Sequence, residues 1–133
     1  QWNSSKNAGF TTGTPWIRVN DNYDRINVEK QKNDPDSIYN YYKKLIQLRH
    51  NNDIIVYGTF VPLLEASDTI FAYERRLDNK KLYVFCNFTG DKQLYEVPEE
   101  LTLNNPKILI SNYNTNTIGL LKPYEAVVYL IQK

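Results

Sequence analysis

The hydrophobic period changes once along this chain, at Asp53, and that change restricts the fold more than any other feature. Before it, Ile38, Tyr41, Tyr42, Leu45, Ile46 and Leu48 follow the i, i+3, i+4, i+7 spacing that places apolar side chains on one helical face. The spacing predicts a helix over 34–50. Asp34 is positioned to cap it, Pro35 suits the first helical position, and Asp36 sits near the positive end of the dipole. Lys43, Lys44, Arg49 and His50 fall toward the negative end, where cations are favoured, and Asn51-Asn52 can stop the helix.

After Asp53 the apolar runs become short, β-branched and aromatic, and turn formers separate them. They predict strands over 54–57, 59–64, 69–76, 81–88, 93–97, 107–112, 117–121 and 126–131. Asp78-Asn79 joins two of these as a hairpin. A run of strands with no helical pattern between them predicts an antiparallel β-sandwich or barrel, so the class is mainly β. A lone helix ahead of an all-β module makes sense if the helix belongs to a preceding domain. Residues 1–33 are polar and punctuated by Gly9, Gly13 and Pro15, yet they carry Trp2, Phe10, Trp16, Ile17, Tyr23, Ile26 and Val28. That is too much bulk for a linker, and it predicts a long ordered loop packed against something.

Charge and cysteine count exclude several classes. Lys and Arg number 16 against 15 Asp and Glu, so no field of one sign steers the chain to nucleic acid or an anionic membrane. The longest apolar runs, such as 126–131, are far too short to span a bilayer as a helix. Cys86 is the one cysteine, which rules out an intrachain disulfide and a C-x-x-C metal site. No metal and no cofactor are expected. The sequence has no Met and opens on Gln1-Trp2-Asn3, as expected of a piece of a longer protein or a processed product.

A catalytic carboxylate pair would need two acids facing one substrate, one of them with a raised pKa. Asp21 and Asp24, Asp34 and Asp36, Glu65 and Asp68, and Glu99 and Glu100 are close in sequence. Capping explains Asp34 and Asp36, and Glu99-Glu100 after Pro98 reads as a solvated turn. His50 has a structural place at a helix end, and no nucleophile motif accompanies it. Cys86 reads as a small core residue of a strand. Asn3-Ser4-Ser5 and Asn87-Phe88-Thr89 match the glycosylation sequon. Aromatic faces stack on sugar rings, which makes Trp2 and Trp16 in the long loop the interesting ones. Tyr57, Tyr73, Tyr83 and Tyr129 read as packing residues of strands.

Gln1-Trp2-Asn3, Ser5-Lys6-Asn7-Ala8-Gly9-Phe10-Thr11, Pro15-Trp16-Ile17 and Val19-Asn20 resemble the segment after the last barrel strand in bacterial α-glucosidases of the α-amylase superfamily. Asp34-Pro35-Asp36-Ser37-Ile38, Tyr41 to Ile46 and Leu48-Arg49 resemble the last barrel helix of those enzymes. Val56-Tyr57-Gly58, Ile70 to Tyr73, Asn87-Phe88, Pro98 to Leu101 and Leu121 to Ala126 resemble their C-terminal β-domain. The resemblance runs through the chain in order and is greatest to the oligo-1,6-glucosidase subgroup, with trehalose-6-phosphate hydrolases and glucan glucosidases as near relatives. It implies residues 1–52 as the terminal loop and last helix of a truncated (β/α)₈ barrel, and 53–133 as a β-sandwich.

In the parent the resemblance implies a retaining, cytosolic hydrolase of α-1,6-linked oligosaccharides. An Asp nucleophile, a Glu acid/base and a second Asp would all lie upstream of Gln1. No catalytic residue is then expected in this chain. Gln1 and Trp2 would sit at a strand end on the active-site face, as substrate rim or as packing behind it. The implied partners are the missing barrel and, in the parent, an oligosaccharide. Without the barrel, the apolar stripe of the helix could also pair two copies of the chain. A carbohydrate-binding module and a small autonomous hydrolase are the competing readings.

Overall fold

The computed structural model describes residues 1–132, in two compact units, Gln1–Ile46 and Gln47–Lys133. The first unit opens with a 3₁₀ turn, Lys6–Gly9, followed by helix α1 (Val28–Asn33) and most of helix α2 (Ile38–Asn51). Residues 1–33 are therefore ordered, as expected, but they include a helix that the polar composition hid. Helix α2 starts four residues later than its spacing predicts. Asp34 does accept a hydrogen bond, at 3.0 Å, but from Asp36 N within a turn, and its carbonyl accepts from Ser37 N. The N-cap function falls to Ser37, whose buried Oγ accepts from Asn40 N at 3.2 Å. At the far end Asn52 Nδ2 donates to Leu48 O at 2.8 Å, so the asparagine pair does stop the helix.

The second unit holds helix α3 (Asp53–Tyr57), strands β1 (Thr59–Leu63), β2 (Ile70–Leu77), β3 (Lys80–Asn87) and β4 (Gln93–Leu94), helix α4 (Glu99–Leu103), and strands β5 (Lys107–Ser111), β6 (Leu120–Leu121) and β7 (Ala126–Gln132). One antiparallel sheet has the order β1-β2-β3-β7-β5, and β4 pairs with β6 as a second, small sheet. The sandwich is thus lopsided. Leu77 and Lys80 pair across a two-residue turn in which Asp78 takes φ 51°, a conformation Asp tolerates. Both edges of the large sheet are blunted, by Pro62 in β1 and by a register shift between Ile108 and Ile110 in β5.

Alternation divides the apolar side chains of the sheet between its faces. Ile70, Ala72, Tyr83, Phe85, Val127, Tyr129 and Ile131 form one cluster, completed by Tyr95, Leu101 and Leu121 from the β4–β6 and α4 segments. Leu82 and Val84 form the other with Ile54 of α3. Strand β3 is buried on both faces over 82–85, so its apolar run is continuous rather than alternating.

The run 54–57 is helical, not a strand. A short apolar run does not distinguish the two. Here Gly58 N donates to Ile54 O at 3.1 Å, and Arg75 of β2 donates to Ile54 O at 3.1 Å and Gly58 O at 2.8 Å. The guanidinium thus satisfies carbonyls at the end of α3. A Cβ on Gly58 would lie 2.5 Å from Ile54 O, so only glycine fits there. The segments predicted as strands over 93–97 and 117–121 shrink to two residues each. Glu99-Glu100 begins α4 rather than a solvated turn, because Leu101 is drawn into the core.

Candidate functional site

The first three residues are tied to the segment 22–29. The Gln1 and Trp2 carbonyls accept from Val28 N at 2.9 Å and Glu29 N at 3.0 Å, which satisfies the first amides of α1. Asn27, buried, completes that end. Its Oδ1 accepts from Lys30 N at 3.0 Å, while its Nδ2 donates to Ser4 Oγ at 3.1 Å and Tyr23 O at 2.8 Å. The Gln1 side chain points the same way, Nε2 donating to Asn22 Oδ1 at 3.1 Å and Ile26 O at 2.5 Å.

The turn that follows is left-handed, with φ 57° at Asn7, 53° at Ala8 and 75° at Gly9. Asn and Gly tolerate this; Ala8 does so while fully buried, its carbonyl accepting from Trp2 N at 2.9 Å. Asn7 Nδ2 then donates to Thr11 O at 3.0 Å and Gly13 O at 2.8 Å, which fixes the next stretch. The stretch that follows lines a cavity of about 580 Å³, with the apolar side chains of Phe10, Pro15, Trp16, Ile17 and Val19 and the polar Gln1, Thr11, Arg18 and Asn20 on its walls. Trp2 lies edge-on to Phe10, ring centroids 6.4 Å apart. Trp16 is 94% exposed and Trp2 57%.

None of the four carboxylate pairs forms a catalytic arrangement. Asp21 pairs with Arg18 and Asp24 with Arg25, all exposed. Asp34, Asp36, Glu65, Asp68 and Glu99 are also exposed. Glu100 Oε2 meets Lys81 Nζ at 2.5 Å and accepts from the Tyr83 hydroxyl at 2.9 Å. His50 is exposed near the C-terminus of α2. Cys86 is half-buried beside the α3-side cluster, and burial pushes its thiol up. No group of three metal-ligating side chains occurs among the described residues.

The buried carboxylates lie elsewhere. Glu74 is held by Arg76 through two contacts, at 2.6 and 3.1 Å. Glu125 accepts from Lys122 N at 2.7 Å and Asn116 Nδ2 at 2.5 Å. The alternation Ile70, Ala72, Glu74 could have revealed the first, since it puts a charge on an inward register position. Glu125 left no comparable signal.

The sequons are structural. Asn87 is 3% exposed, its Nδ2 donating to Asp91 O at 2.7 Å and Lys122 O at 2.8 Å, and its Oδ1 accepting from Thr89 N and Oγ1. Asn3 Oδ1 accepts from Ser5 N and Oγ in the same manner. Of the strand tyrosines, Tyr83 and Tyr129 are buried and Tyr73 is half-buried. Tyr57, outside any strand, is exposed.

An antiparallel sandwich preceded by an ordered loop and a helix has counterparts in the α-amylase superfamily of glycoside hydrolases, to which the chain is similar along its length. The alpha amylase catalytic-domain family matches residues 1–58, and the alpha-amylase SusG C-terminal domain family matches residues 70–128. More particularly, the chain is similar to oligo-1,6-glucosidases, 45% identical to that of Bacillus cereus and 47% to that of Parageobacillus thermoglucosidasius, with 99% of the chain aligned in each case. It spans about a quarter of their length, 24% in both. The crystal structure of Bacillus licheniformis trehalose-6-phosphate hydrolase superposes on the whole chain with a TM-score of 0.91 at 42% identity, over 25% of that structure.

Proposed function

We propose that the chain is the C-terminal, non-catalytic part of a retaining α-glucosidase whose complete form hydrolyses terminal α-1,6 bonds of isomalto-oligosaccharides. Residues 1–52 are the last loop and helix of its catalytic barrel, and 53–133 its C-terminal sandwich. The nucleophile, the acid/base and the stabilising Asp belong to the rest of the protein, and Gln1 and Trp2 stand at the substrate rim. The observation that carries the proposal is the order of the two family matches, catalytic domain and then C-terminal domain, in a chain 45% identical to an oligo-1,6-glucosidase along almost all its length. Asp21 and Asp24, exposed and each paired with its own arginine, form no acid pair across a substrate, which supports the inactivity of the chain.

The test assays the complete protein and the 133-residue chain on isomaltose and trehalose 6-phosphate, with glucose release as readout. The complete protein is expected to act on isomaltose and the chain on neither. Turnover by the chain would make it an autonomous hydrolase, and preference of the complete protein for trehalose 6-phosphate would move the substrate. An amide-shift titration of the chain with isomaltose tests the binding-module alternative, for which saturable shifts are required.

A further inference from the structure

We propose that Asn27 is a positioning residue for the substrate rim, holding Gln1 and Trp2 in place through the start of α1. The inference rests on the reading that these two residues stand at that rim. Its first support is the makeup of the unit Gln1–Ile46. The buried residues there are Ala8, Asn27 and Ser37, so hydrogen bonds rather than large apolar side chains fix its shape. Asn27 is 3% exposed, and its side chain joins three stretches of chain. Its Oδ1 accepts from Lys30 N at 3.0 Å, and its Nδ2 donates to Tyr23 O at 2.8 Å and Ser4 Oγ at 3.1 Å. A buried amide whose partners are all in place specifies one arrangement of them.

The second support is what rests on that junction. The first two amides of α1 donate to the carbonyls of Gln1 and Trp2, at 2.9 and 3.0 Å, and the third to Asn27. The incoming chain and the asparagine therefore cap the helix together. The same segment grips the Gln1 side chain, whose Nε2 donates to Asn22 Oδ1 at 3.1 Å and Ile26 O at 2.5 Å. A carbonyl only accepts, so the bond to Ile26 O fixes which way round the Gln1 amide sits. Trp2 is 57% exposed, so its backbone bonds to Ala8 O and Glu29 N place it more than burial of its ring does. Without the Asn27 amide, Ser4 and Tyr23 lose their tie and Lys30 N its cap. The seat under Gln1 and Trp2 then loosens although neither residue is altered. A misplacement of about 1 Å is enough to weaken a contact with substrate.

The test uses the complete protein with isomaltotriose, or with trehalose 6-phosphate if that is what it hydrolyses. Asn27→Ala removes every side-chain bond. Asn27→Ser keeps a cap acceptor for Lys30 N and loses the two amide donations, which covers the case of an alanine variant that does not fold. In both, KM is expected to rise about 3–10-fold with kcat within about twofold, because rim contacts act on binding. The protein is also labelled with 5-fluorotryptophan. The Trp2 fluorine resonance, assigned through Trp2→Phe, is expected to shift or broaden while that of Trp16 stays. An unchanged KM, with or without a loss of kcat, would leave Asn27 a fold-stabilising residue at most. A raised KM with an unmoved Trp2 resonance would place its action elsewhere. Either result overturns the proposal. Gln1→Ala and Trp2→Ala separate the two claims. If they raise KM and the Asn27 variants do not, the rim stands and the positioning role fails; if they leave KM unchanged, the rim reading itself fails.

Discussion

Glu125→Ala is expected to cost the sheet unit a large part of its stability. The carboxylate is 1% exposed and forms no ion pair among the described residues; the neutral donors Lys122 N and Asn116 Nδ2 hold it at 2.7 and 2.5 Å. Asn116 is anchored in turn to Ser111 Oγ at 2.7 Å, and the Glu125 carbonyl accepts from Asn87 N at 2.8 Å. The side chain therefore ties the β5–β7 connection to the end of the sheet. A hydrogen bond to a charged group contributes roughly 1.5–3 kcal/mol, and alanine removes two while leaving both donors without their acceptor. The expected loss is about 3–5 kcal/mol, against a total of about 5–15 kcal/mol for an ordinary domain. Glu125→Gln keeps the shape but turns an NH₂ toward one of the donors, so about half that loss is expected.

Urea unfolding followed by far-ultraviolet circular dichroism measures both changes. With a slope of about 1–3 kcal/mol/M, the alanine midpoint should fall by about 2 M. Asn116→Ala should cost less in the Glu125→Ala background than alone, because the two residues share one interaction. A Glu125→Gln protein within about 0.5 kcal/mol of the parent, or strictly additive losses for the pair, would refute the assignment of the carboxylate as acceptor.

Arg75→Lys should loosen α3, since an ammonium does not reproduce the fork that reaches both Ile54 O and Gly58 O; a loss of about 1–2 kcal/mol and faster amide exchange over 54–58 are expected. Gly58→Ala should cost about 1–3 kcal/mol by thermal unfolding, from lack of space rather than conformation, because φ is −62° and the new Cβ would meet Ile54 O at 2.5 Å; Gly90→Ala, where the nearest atom is 3.4 Å away, is the tolerated control. Burial raises the Tyr83 and Tyr129 hydroxyls above the ordinary value of 10.0, with the Glu100 carboxylate adding to it at Tyr83. The unfolded chain therefore loses these protons first, and stability should fall as pH rises above about 10. Part of the tyrosinate absorbance should emerge only as the dichroism collapses, and complete titration with the dichroism unchanged would contradict it.

How much of this was legible in the sequence depended on the range of the forces involved. Periodicity reports which face of an element meets the core, so helix α2 and strands β1, β2, β3, β5 and β7 were readable, as was the Asp78-Asn79 hairpin. The run 54–57 was not, because Arg75 decides its state from 17–21 residues away in the chain. Helix α1 was missed because its six residues bury no apolar side chain and so show no periodicity, and the Asn27 cap is only part of its N-terminal support, the carbonyls of Gln1 and Trp2 supplying the rest. The start of α2 moved because Asp34 and Ser37 are both competent caps, and the Asp34-Pro35-Asp36 turn uses up the first. At the candidate site the prominence of Trp2 and Trp16 was readable from composition. The gathering of Trp16 with Gln1 and Phe10 around one cavity was not, since it brings together residues well separated in the chain.

The resemblance motifs themselves now have physical reasons. Lys122 to Ala126 is the segment in which the Lys122 amide and the Glu125 carboxylate close on each other and Tyr124 takes φ 54°. Asn87-Phe88-Thr89 is a turn whose asparagine stitches β3 to Asp91 and Lys122. Asn7-Ala8-Gly9 is the left-handed turn that leads into Phe10. Each is a place where a side chain replaces a missing backbone partner or where the backbone enters a conformation few residues accept. Such positions resist substitution whatever reaction the protein performs. A match on them therefore identifies the architecture directly and is independent of the reaction.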